Sequence, residues 1–559
     1  MATLRGRTLF FITSPRSPMK MAPEIEILVK YFINDPWNSS TQEHYMKRLV
    51  VSEAFEGYGS KGDLAFSARD RINRGPKALG FVDISPTIQL TEPGKNFLDA
   101  EIAGEILLRQ LLKFQLPSPY HTISKKSDVS FSVKPYLEIF RLIYTLKEVS
   151  FDEIQIFGMQ LTNYNKFDNI VLAIKEFRRE KELHVGNYKT FVGQYLYKEL
   201  KKIYNREIQE GKTKTRESTD VSIDNFLRTK ASNLHDYTDA CFRYLRATGI
   251  VSLSQSGKSL SISQEKEEEV KYFLTNIPRN PVYVNDEKTY KQYLFNPELP
   301  VLYTDDRNNL EKEGNRLGLK NVKIIPTFEL KKILRNHVVK RKYALINKQI
   351  CELKAYSSYS DVMETFNCIK EKRYYDIPLM LEWNIWRAMT MLDGGKIKAN
   401  LKFDDNGDPM STASGNISDI ICDYGDFMLS VEVTMQTGQR QYEMEGEPVS
   451  RHLASIKKEQ GKETFCFFIA PKINDACVAH FYILYKEKIS FYGGTSAIIP
   501  IELEVFKKMV EQAKNAHIVP LPSHIKSLCD YSVMAAQSSK NEVEWYKSVR
   551  NRSLCWLTV

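Results

Sequence analysis

Eight cysteines are scattered over 559 residues, and no two of them form a CxxC pair. That spacing excludes a zinc finger or ribbon and offers no disulfide framework. It suits a reducing compartment. No apolar run approaches the roughly 20 residues that a membrane-spanning helix needs. The N-terminal stretch MATLRGRTLFFITSPRSP holds too short an apolar run for a secretory signal. A Gly-rich phosphate loop and a Ser-His-Asp motif are missing as well. These absences argue against membrane proteins, secreted scaffolds, P-loop nucleotidases and triad hydrolases, and a cytosolic protein with no membrane partner is expected. What is present is enough chain for several domains and an ordinary apolar fraction of 42%. The formal charge of +10 points weakly to a polyanionic partner.

The informative stretch is Gly415 to His452. Ile417–Cys422 and Met428–Val433 are apolar and β-forming, and Asp423-Tyr424-Gly425-Asp426 between them is turn chemistry. A two-residue loop at Gly425 and Asp426 sets Tyr424 opposite Phe427, Cys422 opposite Leu429 and Asp419 opposite Glu432. Opposed residues have Cβ atoms roughly 4.5–5.5 Å apart, and two carboxylates that close repel. A cation relieves that cost. Mg²⁺ suits such oxygen ligands and needs only one or two carboxylates when phosphate supplies others. The commoner fate of a single Asp or Glu is solvation, but the flanks here (Ile420, Ile421, Leu429, Val431, Val433) are strongly apolar. The run LMLEWNIWRAMTML after Ile377-Pro378 is predicted to be helical, with Glu382 as its one acid. Spacing alone makes Glu382 an ordinary exposed helical residue. Pro448 suggests a helix start, and Glu445 and His452, seven residues apart, share a face if the segment is helical throughout. A lone His is more often structural than catalytic.

The pattern helix, short strand, turn, strand, helix occurs twice upstream. In the first unit it runs through Asp63–Arg74, Gly80–Val82, Ser85-Pro86, Ile88–Leu90 and a helix capped by Thr91. In the second it runs through Asn233–Arg246, Gly249–Val251, Gln255–Lys258, Leu260–Ile262 and a helix capped by Ser263. This is a winged-helix signature, and two copies suggest a DNA-reading half. Candidates for DNA contact are Arg69, Asp70, Arg71 and Arg74 in the first unit and Lys230, Asn233, Asp236 and Arg243 in the second, with Arg16 and Lys20 before them. Each is about as often a solvated helix-face residue, and winged helices also bind proteins. Lys201–Lys230 reads as an exposed basic loop, and Glu329–Lys342 as a basic helical stretch in a proline-punctuated connector. Thr464–Pro471 reads as a buried central strand, with further elements at His480–Leu484 and Ala497–Ile501 and mainly helix from Glu502.

Several segments resemble the AlwI family of type IIS restriction endonucleases: Ser14–Pro18, Ala65–Arg71, Thr91–Lys95, Gln110–Lys113, Asn416–Asp419, Val431–Thr434, Glu447–His452 and Phe468–Pro471. Within it the likeness is to the PleI and MlyI enzymes and their nicking relatives, which read the asymmetric site GAGTC. The resemblance implies an α+β multidomain chain with N-terminal winged-helix recognition subdomains (1–140 and 141–285), a helical linker (286–370) and a C-terminal α/β PD-(D/E)xK nuclease domain (371–559). It implies Mg²⁺-dependent cleavage of double-stranded DNA a few base pairs outside the site, in a bacterial cytoplasm. It also implies an active-site group of Glu382, Asp419, Glu432, Glu445 and His452, with the metal on Asp419, Glu432 and Glu382. One departure stands out: the superfamily's Lys two residues after the second acid is Thr434 here, so its task is shared out or lost, with Glu445 and His452 the natural substitutes within the motif. Double-strand cleavage would need a transient homodimer or a second nuclease chain. A strand-specific nickase, the large subunit of a two-chain enzyme and a non-catalytic winged-helix regulator stay open as alternatives.

Overall fold

A computed structural model describes residues 2–4, 6–52, 55, 62–123, 130–254, 257–392, 394–412, 417–516 and 521–557. Gly415 and Asn416 of the central stretch, and Gln255 and Ser256 of the second turn, lie outside the described residues. The chain divides into two compact units, Met1–His337 and Val338–Val559.

The first unit is mainly helical, with short strands between the helices. In the first repeat the helix Leu64–Ile72 continues through a wide turn at Asn73–Lys77. The paired strands Val82–Asp83 and Gln89–Leu90 follow, and then the helix Glu92–Phe97. Thr91 is its N-cap, with Oγ1 accepting from the Gly94 N–H at 3.1 Å. Gly94 is required there because a Cβ would lie 2.0 Å from the Phe81 carbonyl oxygen. In the second repeat the helix Ile223–Arg246 leads to the strands Val251–Leu253 and Ser259–Ile262. The strand Glu148–Ser150 pairs antiparallel with the latter, so a three-stranded sheet backs this repeat.

Two expectations are corrected here. Lys201–Lys230 is not one loop, because helices cover Tyr188–Ile203, Asn205–Gln209 and everything from Ile223. The apolar spacing of Leu196, Leu200, Phe226 and Leu227, all buried, holds those ends against the core and outweighs the local charge. Ser263 makes no side-chain cap, and a 3₁₀ turn at Gln264–Lys266 precedes the helix Glu267–Asn276.

The basic stretch is part of one helix, Thr327–Lys354, and the boundary between the two units falls within it. Leu330 packs with Leu310 and Val322 of the first unit. Lys331 and Arg335 reach Glu105 at 2.8 and 2.6 Å. Asp305, 2.8 Å from Lys331, also takes Arg109 at 2.7 Å. Leu353 belongs to the core of the second unit, together with Val362, Phe366 and Ile369.

The second unit is built on a five-stranded sheet of β1 (Lys396–Ala399), β2 (Ile420–Asp423), β3 (Phe427–Val433), β4 (Glu463–Ala470) and β5 (Ala497–Glu502). Its order is β5-β4-β3-β2-β1. The three strands β3, β4 and β5 are parallel, whereas β1 and β2 run antiparallel at the far edge. From Thr464 to Ala470 every residue of β4 is buried, as expected of a strand covered on both faces. Helices α1 (Ile377–Leu392), α2 (Gln439–Gln460) and α3 (Asp475–Lys486) pack around the sheet. His480–Leu484 falls within α3. Pro448 does not start a helix, because α2 begins at Gln439 and runs through it. The ring's fixed φ is helical, and the cost is one missing N–H donor.

Candidate active site

The β2–β3 hairpin has the expected register, with Cys422 opposite Leu429 and Ile420 opposite Val431. The Tyr424 N–H donates to the Phe427 carbonyl at 3.1 Å, and Gly425 turns the chain with φ of 89°. One further step along this register sets Asp419 opposite Glu432. Asp419 Oδ2 accepts the Val433 N–H at 2.8 Å, so one acid is tied to the backbone of the strand that carries the other. Glu432 is buried in β3.

Helix α1 brings Glu382 to this hairpin, and α2 brings Glu445 and His452. Because α2 is continuous, the seven-residue separation does put the last two on one face. Burial pushes the Asp419 carboxyl well above its usual range, and the negative charges of Glu382, Glu432 and Glu445 push it further; only the Val433 N–H opposes them. Burial also raises Glu445, as does Glu432, against a hydrogen bond from the Thr434 hydroxyl and the charge of His452. His452 Nδ1 lies 3.0 Å from Glu432 Oε1. The carboxylate oxygen accepts in this contact and Nδ1 donates.

Three contacts had little sequence signal. The Val433 amide on Asp419 is a main-chain donor, invisible in residue identity. Thr434 drew notice only as a departure, yet its hydroxyl bonds Glu445 and accepts the Gln436 N–H at 3.1 Å. Gln441, fully buried, donates to the Gln436 and Lys472 carbonyls at 2.9 Å each and accepts the Asn474 N–H at 2.7 Å. It fixes the loop between β3 and α2.

In the first unit, the candidate DNA contacts separate into two groups. Arg16 Nη2 meets Asp236 Oδ1 at 2.7 Å, and Arg243 Nε meets both oxygens of Asp239 at 3.1 Å. Arg74 pairs with Asp70 at 2.6 Å. Tyr237 feels the charges of both Arg74 and Asp236, so the helices of the two repeats approach each other there. The others are drawn into packing. Arg71 pairs with the buried Glu24, Lys20 is also close to Glu24, and Arg69 donates to Gln42 at 2.9 Å. Lys230 lies over the rings of Phe226 and Tyr204, and Asn233 is half-buried.

Buried Glu432 and the half-buried Asp419, Glu382, Glu445 and His452 thus gather four carboxylates and an imidazole at the antiparallel end of a mixed sheet. The family is shown by comparison with known proteins. The AlwI restriction endonuclease model matches residues 77–509, and the chain belongs to that family. It is therefore a nuclease of the restriction type. A search of the curated proteins finds no match. Among solved structures, the chain is similar to the small subunit of the heterodimeric restriction endonuclease R.BspD6I, at 24% identity over 35% of this chain and 96% of that one, with a TM-score of 0.27. It is also similar to the BpuJ1 endonuclease binding domain, solved in complex with modified DNA, at 11% identity over 53% of this chain and 97% of that one, with a TM-score of 0.33. No helix among the described residues is long and apolar enough to cross a membrane.

Proposed function

We propose that this chain is a type IIS restriction endonuclease. It binds a short asymmetric site in double-stranded DNA, of GAGTC type by its family resemblance, and hydrolyses phosphodiester bonds a few base pairs away with Mg²⁺. The observation that carries the reading is the hairpin pair Asp419 and Glu432, held by the Val433 amide and crowded by Glu382 and Glu445. Mutual repulsion of buried carboxylates is a standing cost that a divalent cation removes. Among the described residues no three His, Cys, Asp or Glu side chains already converge as a metal-ligand set. Mg²⁺ needs only one or two carboxylates when phosphate and water supply the rest of its shell.

Asp419 and Glu432 would hold the ion, with Glu382 orienting a ligand. Bound Mg²⁺ polarises a phosphate oxygen and lowers the pKa of coordinated water. His452, through Nδ1, orients Glu432 and leaves Nε2 for a phosphate oxygen or water. Glu445, hydrogen-bonded by Thr434, is the candidate to take over the usual Lys's task and accept a proton from the attacking water. The two helix–strand–strand–helix repeats would serve as winged-helix readers, and the domain limits given above stand as part of this proposal. A single PD-(D/E)xK centre cuts one strand, so double-strand cleavage calls for a second copy or another nuclease chain.

The test is supercoiled plasmid carrying one GAGTC site, incubated with Mg²⁺ or with EDTA, beside a plasmid lacking the site. Linear product that depends on both site and metal is expected. Site-dependent open circles would make the chain a nickase or half of a two-chain enzyme. Binding without product under any divalent cation would make it a regulator and end the nuclease reading.

A further inference from the structure

Arg16 sits in a short arc whose flanks are pinned. The buried Tyr244 hydroxyl donates to the Pro15 carbonyl at 3.0 Å. The Lys20 N–H donates to the Ser17 carbonyl at 3.1 Å. At Gly75 a Cβ would lie 3.3 Å from the Ser14 carbonyl oxygen and 2.8 Å from Met21 Sδ, so the first repeat's helix presses directly on this arc. The arc is thus clamped between the helices of both repeats.

The side chain is held in a different way. Its two terminal nitrogens face Asp236 at 2.7 Å and Asp239 at 3.8 Å, while the side chain as a whole keeps about half of its surface in solvent. Asp236, Asp239 and Arg243 share one face of the helix Ile223–Arg246, and Arg243 braces Asp239 from the other side. The Arg16–Asp236 pair is exposed and adds little to stability, whereas buried Asp239 already has Arg243 as its close counter-charge and lies 3.8 Å from Arg16. With Arg243 the cluster holds two guanidiniums and two carboxylates and so no net positive charge, which makes Arg16 a poor backbone clamp. What the carboxylates preserve is geometry: a planar fork in one orientation, with N–H groups left over, which matches the O6 and N7 acceptors of guanine in the major groove.

On the basis of these contacts we infer that Arg16 reads one guanine of the DNA site, with Asp236 and Asp239 orienting it. The inference rests on the DNA-binding half of the proposed function and is independent of the cutting half.

The full chain is mixed, without divalent metal, with a random-sequence duplex library, and the bound fraction is sequenced; cleavage with Mg²⁺ is measured in parallel. Wild-type chain should enrich a motif containing a G·C pair that R16Q and R16K no longer prefer. Their affinity for the original motif should fall about 10- to 100-fold, with the other positions unchanged. D236N should weaken the preference at that same pair. R16K keeps a cation beside Asp236, so it carries the test if R16Q melts early. Equal weakening at all positions, restored by R16K, would make Arg16 a phosphate contact and overturn the inference. An unchanged motif and affinity, or a wild-type chain that enriches no motif, would overturn it too. Enrichment without cleavage would leave it standing and overturn the nuclease reading alone.

Discussion

Asp419 reaches across its hairpin to accept the Val433 N–H at 2.8 Å, so its carboxyl is aimed by the backbone of the strand that carries Glu432. The pair therefore moves as one rigid unit, and disturbing either acid disturbs a preset geometry rather than a loose surface charge.

Asp419→Ala should lower cleavage by about 10³-fold or more while leaving DNA binding intact. The neutral Asp419→Asn removes one charge from the crowded centre. Because Asp419 is held above its ordinary range, its ionised form destabilises the metal-free fold. That cost grows as pH rises through the raised value and vanishes on protonation. At alkaline pH, Asp419→Asn should therefore raise the Tm of metal-free protein. Mg²⁺ should raise the Tm of the wild type and not of this variant. Calorimetry with and without the ion would check both.

His452→Ala should cost about 10- to 100-fold in activity or metal affinity, the usual price of losing a partner that orients a ligand. His452→Gln should recover part of it by donating to Glu432. Titration of Mg²⁺ against cleavage rate separates the two: a pure rise in the Mg²⁺ requirement marks His452 as acting through Glu432, whereas a loss at saturating Mg²⁺ marks direct contact with the reacting groups.

Thr434→Val removes the hydroxyl that stabilises ionised Glu445. The carboxyl, already raised by burial, should rise further. If ionised Glu445 accepts the proton, the acid limb of the kcat/KM profile should move to higher pH. An unmoved limb would take Glu445 out of that role.

Glu105 predicts the opposite pH behaviour. Burial would raise it, yet Lys331, Arg109 and Arg335 bring it down to about 2. A depressed carboxylate stabilises the fold above its unfolded value near 4.5 and loses that contribution as pH falls towards about 2. Glu105→Gln should destabilise the protein at pH 7 by up to about 3 kcal/mol, with Asp305 still pairing Arg109 and Lys331. The gap between variant and wild type should close as pH falls through this window. Urea unfolding at pH 7, 4 and 3 would measure it.

Much of the second unit was legible in the sequence. Turn chemistry at Asp423–Asp426, with a two-residue loop at Gly425 and Asp426, set the hairpin register, and the unbroken run Thr464–Ala470 marked a strand buried on both faces, because turns and burial are local consequences of side-chain chemistry. Pro448 misled, since proline's preference for the first turn of a helix is a prior that packing overrode. Lys201–Lys230 misled in the same way: charge reads as loop until buried leucines at either end hold it helical.

Residue chemistry by itself determined which groups are present: an opposed acidic pair on a two-residue hairpin, a Thr where a Lys is usual, two helix–strand–strand–helix repeats and a basic excess. Only the tertiary structure decided which of them meet. It brought Glu382 to Asp419 from a helix 37 positions away, joined His452 to Glu432, and set Arg16 against Asp236 across 220 residues. Such pairings depend on how elements pack, and long-range packing is chosen by the whole core rather than by the neighbours of any one residue.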